Sequence, residues 1–116
     1  MKKSRENDQA RLQHMLDHAR LACQFAEGRS RDDIDSDDQF RLALDRAVEI
    51  VGEAACKITD ELQAETPEIP WRDIKGIRLV IAHRYDEIDH DILWETVTDH
   101  LPPLIGQLEA ILEIED

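Results

Sequence analysis

"DDQFRLALDRAVEIVGEAACKITDELQAETPEIP", residues 37–70, decides the fold. Phe40, Leu44, Ala47, Val48, Val51, Ala54, Ala55, Ile58 and Leu62 recur at spacings of three and four. That is the period of an α-helix with one broad apolar face. The spacing predicts a single long helix, capped by Ser36 or Asp37 and running to about Ala64. Pro67 and Pro70 then stop it, because proline removes a backbone donor and clashes with the preceding turn.

Working outward, the stretch from Glu6 to Glu27 places Leu12, Met15, Leu16, Ala19, Ala22, Cys23 and Ala26 on one stripe. This is a second long helix, with Gly28 standing where a helix C-terminus is often closed. The polar run RSRDDIDSDD leaves room for one short turn around Ile34. Beyond Pro70 a third helix begins near Trp71 and carries Ile74, Ile77, Val80 and Ile81 inward. A break follows at residues 86–89, with Asp89 a good N-cap for a last helical stretch from about His90. Ile92, Leu93, Val97, Leu101, Leu104, Leu108, Ile111 and Leu112 give that stretch its buried face, and Pro102 and Pro103 must bend or split it. The expected fold is all-α: an up-and-down bundle of four main helices plus short helical segments, in a single domain over 1–116 with residues 1–5 frayed. At 116 residues the chain is one domain by length.

The net charge of −13 argues against general affinity for polyanions. It is unevenly spread. Between Trp71 and Tyr85, Arg72, Lys75, Arg78 and Arg84 face only Asp73, a local +3 in a chain that otherwise carries −16. The start, MKKSREND, has no apolar segment after its lysines, so no signal peptide is expected. No apolar run reaches membrane-spanning length, and the cytoplasm is the expected compartment. Cys23 and Cys56 fit no metal or redox spacing and are expected as buried reduced thiols.

Several constellations carry no chemistry. His14 and His18 are four apart beside Asp17, but a metal needs further ligands that the sequence does not announce, so a solvated face is expected. Asp33, Asp35 and Asp37 mimic a calcium loop, yet Asp38 stands where glycine is required and Leu44 where a bidentate glutamate belongs. There is no phosphate-binding glycine loop and no zinc-protease or serine-hydrolase signature.

Arg78 and His83 remain. A guanidinium binds phosphate in a fork and stabilises charge that develops during transfer. Histidine titrates near neutrality and can move the protons of a 2′-hydroxyl and a leaving 5′-oxygen. The pair could cleave RNA with the 2′-oxygen as internal nucleophile, with no metal or other cofactor required. On one regular helix, five positions set Arg78 and His83 roughly 140° apart. Either the helix loosens near His83, or a second subunit completes the site and supplies a second histidine. A histidine that merely caps a helix C-terminus is the competing reading.

The run IVGEAACKI, then PEIPWRDIKGIR, AHRYDEID and ILWETVTDHLPPLI, resembles the HepT-like branch of the HEPN family, the toxins of HEPN–MNT toxin–antitoxin pairs. The likeness spans about Leu12 to Leu112 and is strongest between Val48 and Ile105. It implies a HEPN-like helical bundle that dimerises and forms its ribonuclease site in the cleft between subunits. Arg78 and His83 would be the catalytic pair of an R-x4-H-x-Y motif, with Arg72, Lys75 and Arg84 as candidate contacts to RNA phosphate. Tyr85 would be the residue adenylylated by a cognate nucleotidyltransferase antitoxin. One position departs: the family commonly has a polar residue, often asparagine, after the motif arginine, and this chain has Leu79. That departure supports an alternative, a catalytically weakened HEPN module serving as partner subunit of a nucleotidyltransferase.

Overall fold

In a computed structural model of the chain, residues 5–81 and 88–115 are described, with side-chain detail omitted for Arg78, Ile114 and Glu115. The molecule is all-α, and no β-strand occurs among the described residues. The elements are α1 (Asp8–Ala26), α2 (Arg31–Ser36), α3 (Asp38–Ala55), α4 (Asp60–Glu65), α5 (Trp71–Lys75), α6 (Ile77–Ile81), α7 (His90–Glu95) and α8 (Leu101–Glu115). A 3-10 turn, Arg5–Asn7, precedes α1, and a π-helical turn, Thr96–His100, joins α7 to α8. Arg5, expected in the frayed start, opens that turn and pairs with Glu65 at 2.9 Å.

The apolar stripes meet as predicted. α1 packs along α3 and α8, and Leu12, Met15, Leu44, Val48, Val51 and Leu108 are fully buried between them. Gly28 closes α1 with φ +74, a left-handed conformation that glycine adopts without a Cβ penalty. Asp37 caps α3 by accepting from the Phe40 amide at 3.1 Å, and Asp89 caps α7 by accepting from Ile92 at 3.0 Å.

Four expectations change. The long central helix does not reach Ala64: it ends at Ala55, and α4 starts afresh with the Thr59 hydroxyl accepting from the Leu62 amide at 3.3 Å. Ile58 and Leu62 are still buried, so the apolar period runs through the break and conceals it. The break is fixed from outside, because buried Asp8 accepts from the Thr59 amide at 3.0 Å and from its hydroxyl at 2.6 Å. Val80, expected inward, is 57% exposed, whereas Ile81 is buried. Cys56 is exposed, while Cys23 is half-buried and burial raises its thiol pKa.

The last correction concerns the prolines. The stretch from His90 is divided into α7 and α8 as expected, but not at the prolines themselves: they occupy the first turn of α8, where a missing amide is harmless, and the irregularity falls just before them. The Leu101 amide reaches back to the Thr96 carbonyl, one residue further than in an α-helix.

Candidate active site

The side of the molecule that holds the motif is built by α5 and α6 against α3. Pro70 precedes α5, and the Trp71 indole is buried, donating to the Thr66 hydroxyl at 3.0 Å. This fixes the angle at which the chain leaves Pro70. Gly76 separates α5 from α6 but hardly interrupts the hydrogen bonding: its amide donates to Arg72 and its carbonyl accepts from Leu79. Ile77 then lies directly on Gly52 of α3, the one position on that helix where the backbone can come so close.

From there α6 leads back toward the N-terminal end of α3. The Ile81 carbonyl accepts from the Asp89 amide at 2.7 Å, so α6 ends where α7 begins. The start of α7 is in turn tied to α2. His90 Nδ1 lies 2.6 Å from Asp35, and Arg31 donates to Asp91 at 2.6 Å. The three aspartates that mimic a calcium loop are thereby consumed. Asp33 and Asp37 pair with Arg29, and Asp35 with Arg31 and His90. All three carboxyls sit below their ordinary pKa: Asp33 through the Ser30 amide and Arg29, Asp35 through His90 and Arg31, Asp37 through the Phe40 amide and Arg29.

Each sequence-derived candidate can now be located. Arg72 is exposed on α5 and lines a cavity of about 570 Å3 between α5, α6, the π turn and α8. Lys75 is half-buried and donates to Gln63 at 3.0 Å, which binds it to α4 and leaves it poorly placed to reach a phosphate. Arg78 has its backbone in α6, one residue after Ile77, and its side chain lies outside the described set. His83, Arg84 and Tyr85 lie outside the described residues. Leu79 and Val80, the two residues after Arg78, are 81% and 57% exposed. They are adjacent large apolar side chains facing solvent beside the motif.

Two features of this side were missed in the sequence. Asp73, Glu95, Asp99, His100 and Gln107 are among the polar residues that line the Arg72 cavity, with Ile74, Ile77, Ile92 and Leu104 among its apolar walls. The only sequence signal was the TVTDH run before the proline pair, which the π turn brings to the rim. Asp45 and Glu49 are one turn apart on α3 and share a face with Gly52. Burial, then the hydrogen bond and negative charge of Glu49, push the Asp45 carboxyl up to about 7. No spacing rule separates such a carboxyl pair from an ordinary solvated one. Among the described residues no helix is long and apolar enough to cross a membrane.

Comparison with known proteins shows the family of the chain. The model of the family described as Ribonuclease HepT-like matches residues 15–111. A "Probable ribonuclease HepT" of Thermococcus cleftensis is 32% identical over 100 residues, covering 86% of this chain and 91% of that protein. A protein of Caldanaerobacter subterraneus subsp. tengcongensis, named provisionally as an RNase, is 31% identical over 104 residues, covering 90% and 93%. A provisionally named RNase of Methanocaldococcus jannaschii is 28% identical over 108 residues, covering 93% and 99%. No solved structure matches the chain.

Proposed function

This chain belongs to the HepT-like ribonuclease family, and we propose that it is an endoribonuclease toxin whose Arg78 and His83 cleave RNA in the cleft of a two-fold homodimer. The observation that carries the reading is the family match over residues 15–111, inside which the R-x4-H-x-Y element stands intact at Arg78, His83 and Tyr85. In the proposed reaction one histidine takes the proton of a 2′-hydroxyl, and the 2′-oxygen attacks the adjacent phosphorus. The 5′-oxygen leaves and takes a proton from the histidine of the other subunit. The products are a 2′,3′-cyclic phosphate and a free 5′-hydroxyl. Arg78 holds the phosphate and stabilises the charge of the transition state. Arg72, exposed and without a carboxylate partner among the described residues, and Arg84 extend the cationic surface, whereas Lys75 is committed to Gln63.

The dimer is supported by the two exposed apolar residues of α6. Leu79 and Val80 would be buried by pairing α6 with its symmetry mate, which also brings two copies of the motif together. In the same reading Tyr85 is the switch: a nucleotidyltransferase antitoxin adenylylates its hydroxyl. The added phosphodiester charge and bulk then compete with RNA for the guanidiniums. The reading is tested by expressing the wild type beside His83→Ala and following growth and RNA integrity. Arrest with fragmented RNA in the wild type alone supports it, and identical cultures sink it.

A second reading has one specific observation behind it. Leu79 stands where the family resemblance implies a polar residue and is exposed beside Arg78, where it can neither donate to substrate nor hold the histidine. A weakened nuclease acting as partner subunit of a nucleotidyltransferase would bind that enzyme and leave RNA intact.

A further inference from the structure

Among the described residues away from the motif, most cations are paired. Arg5, Arg20, Arg29, Arg31, Arg41 and Arg46 are each paired with a carboxylate. With 27 acidic residues against 14 basic ones, this is the expected fate of a surface arginine. Among the described residues, Arg11, Lys57, Arg72 and Lys75 are left without a carboxylate partner. Arg72 and Lys75 belong to the motif side. Arg11 and Lys57 come from opposite ends of the sequence of α1 and α3 and line one concavity.

That concavity, of about 300 Å3, lies in the groove between α1 and α3. Arg11, His14 and His18 form its α1 wall; Arg46 and Glu53 on α3, with Lys57 just beyond it, form the other. The two imidazoles meet edge to face with centroids 5.6 Å apart. His18 Nδ1 lies 2.9 Å from the His14 carbonyl. A carbonyl can only accept, so Nδ1 carries the hydrogen, and Nε2 of the neutral ring is left as an acceptor that cannot serve a phosphate oxygen. Glu53 is the one carboxylate in the lining, and Arg46 sits 3.4 Å from it, which offsets its charge. From Arg11 to His18 the wall extends about 10 Å, at 1.5 Å per residue. The free cations Arg11 and Lys57 stand on opposite walls of the groove and not at one point. Around α3, Arg46 and Glu53 stand roughly a third of a turn from the face of Gly52 that receives Ile77, so the groove is separate from the motif side.

We propose that the α1–α3 groove, through Arg11, His14 and Lys57, binds the phosphate backbone of a single RNA strand at a distance from the scissile bond. This rests on the ribonuclease reading and deepens it. In a chain that repels polyanions as a whole, cations left free of carboxylates act at short range, within a Debye length of about 8 Å. Set apart on the two walls, they hold successive phosphates without reading bases, which gives affinity for a strand and little sequence preference. The groove makes long RNA a better substrate than a dinucleotide and leaves the chemical step to the motif.

The test uses the full chain and a short, labelled 2′-O-methyl oligoribonucleotide, which lacks the nucleophile and cannot be cut. Arg11→Gln and Lys57→Gln are each expected to weaken binding by about 3- to 10-fold and to reduce the salt slope by about 0.7. Arg20→Gln, the same change of charge at a residue paired with Glu109, is expected to stay within about twofold. Glu53→Gln should tighten binding. Equal losses at Arg11, Lys57 and Arg20 would reduce the effect to net charge and overturn the site. Competition by 5′-AMP as effective as that of the unlabelled strand would overturn the strand in favour of a free mononucleotide. Cleavage of unmodified RNA is followed separately. Binding through the groove with no cleavage defeats the ribonuclease reading alone; cleavage indifferent to Arg11 and Lys57 defeats the groove alone.

Discussion

Gly52 of α3 and Ile77 of α6 touch so closely that a Cβ built on residue 52 would lie 2.9 Å from Ile77 Cγ2 and 3.2 Å from the Ile74 carbonyl. One residue beyond that contact stands Arg78, so the closeness of two helices sets where the motif arginine begins.

Gly52→Ala tests the relationship. Alanine gains about 1 kcal/mol of helix propensity, but the clash involves backbone as well as a side chain and overpacking costs about 1–3 kcal/mol. The expected outcome is a net loss of about 1 kcal/mol in thermal melts and a larger fall in RNA cleavage. Introducing the same change into Ile77→Ala should cost less, since the closest atom is gone. Equal costs in both backgrounds would mean the contact does not set the spacing.

Asp45 gives a pH dependence with a defined sign. Its carboxyl is raised from 3.8 to about 7 in the folded chain. The native state therefore holds a proton that the unfolded chain gives up near pH 4. The contribution is fully present below pH 4 and is lost as pH rises through 7. Because the group is half-exposed, the effect is discounted to about 1 kcal/mol, a few degrees in melting temperature. Asp45→Asn should melt a few degrees above wild type at pH 8 and level with it at pH 4. A difference of the same size at both pH values would remove the titration as its cause.

Leu79 separates the two functional readings. It is exposed, so Leu79→Asn should leave the melting temperature of the isolated chain nearly unchanged, within about 0.5 kcal/mol. If a missing polar group limits catalysis, cleavage rises several-fold. An unchanged rate in a chain that binds a nucleotidyltransferase favours the partner-subunit reading.

Arg78→Lys should recover little of the activity lost in Arg78→Ala, because an ammonium cannot reproduce the two-pronged hold on phosphate. Tyr85→Phe should stay toxic in the presence of the antitoxin and ATP, while wild type gains mass in AMP units. Full neutralisation of Tyr85→Phe, with AMP found elsewhere, would move the switch to another residue.

The apolar periods of α1, α3 and α8 were legible because each stripe has a packed partner, and burial is what periodicity encodes. The break at Thr59 was not, since Ile58 and Leu62 keep the helical phase across it and the cause, Asp8, is 51 residues away. Val80 misled for the opposite reason: it continues the stripe of α6 in sequence, yet faces solvent in the single chain. The motif was readable as a string of residue types through its likeness to relatives. The α1–α3 groove was not, because Arg11 and Lys57 become neighbours only when their helices pack.

The hydrogen bond between the Ile81 carbonyl and the Asp89 amide joins the two ends of the segment that carries the histidine and the tyrosine. Whatever residues stand between them, the bundle sees a closed stitch. That tie fixes how the end of α6 meets the start of α7, so in the proposed reading the helices flanking the histidine and the tyrosine keep their places whichever residues carry the chemistry.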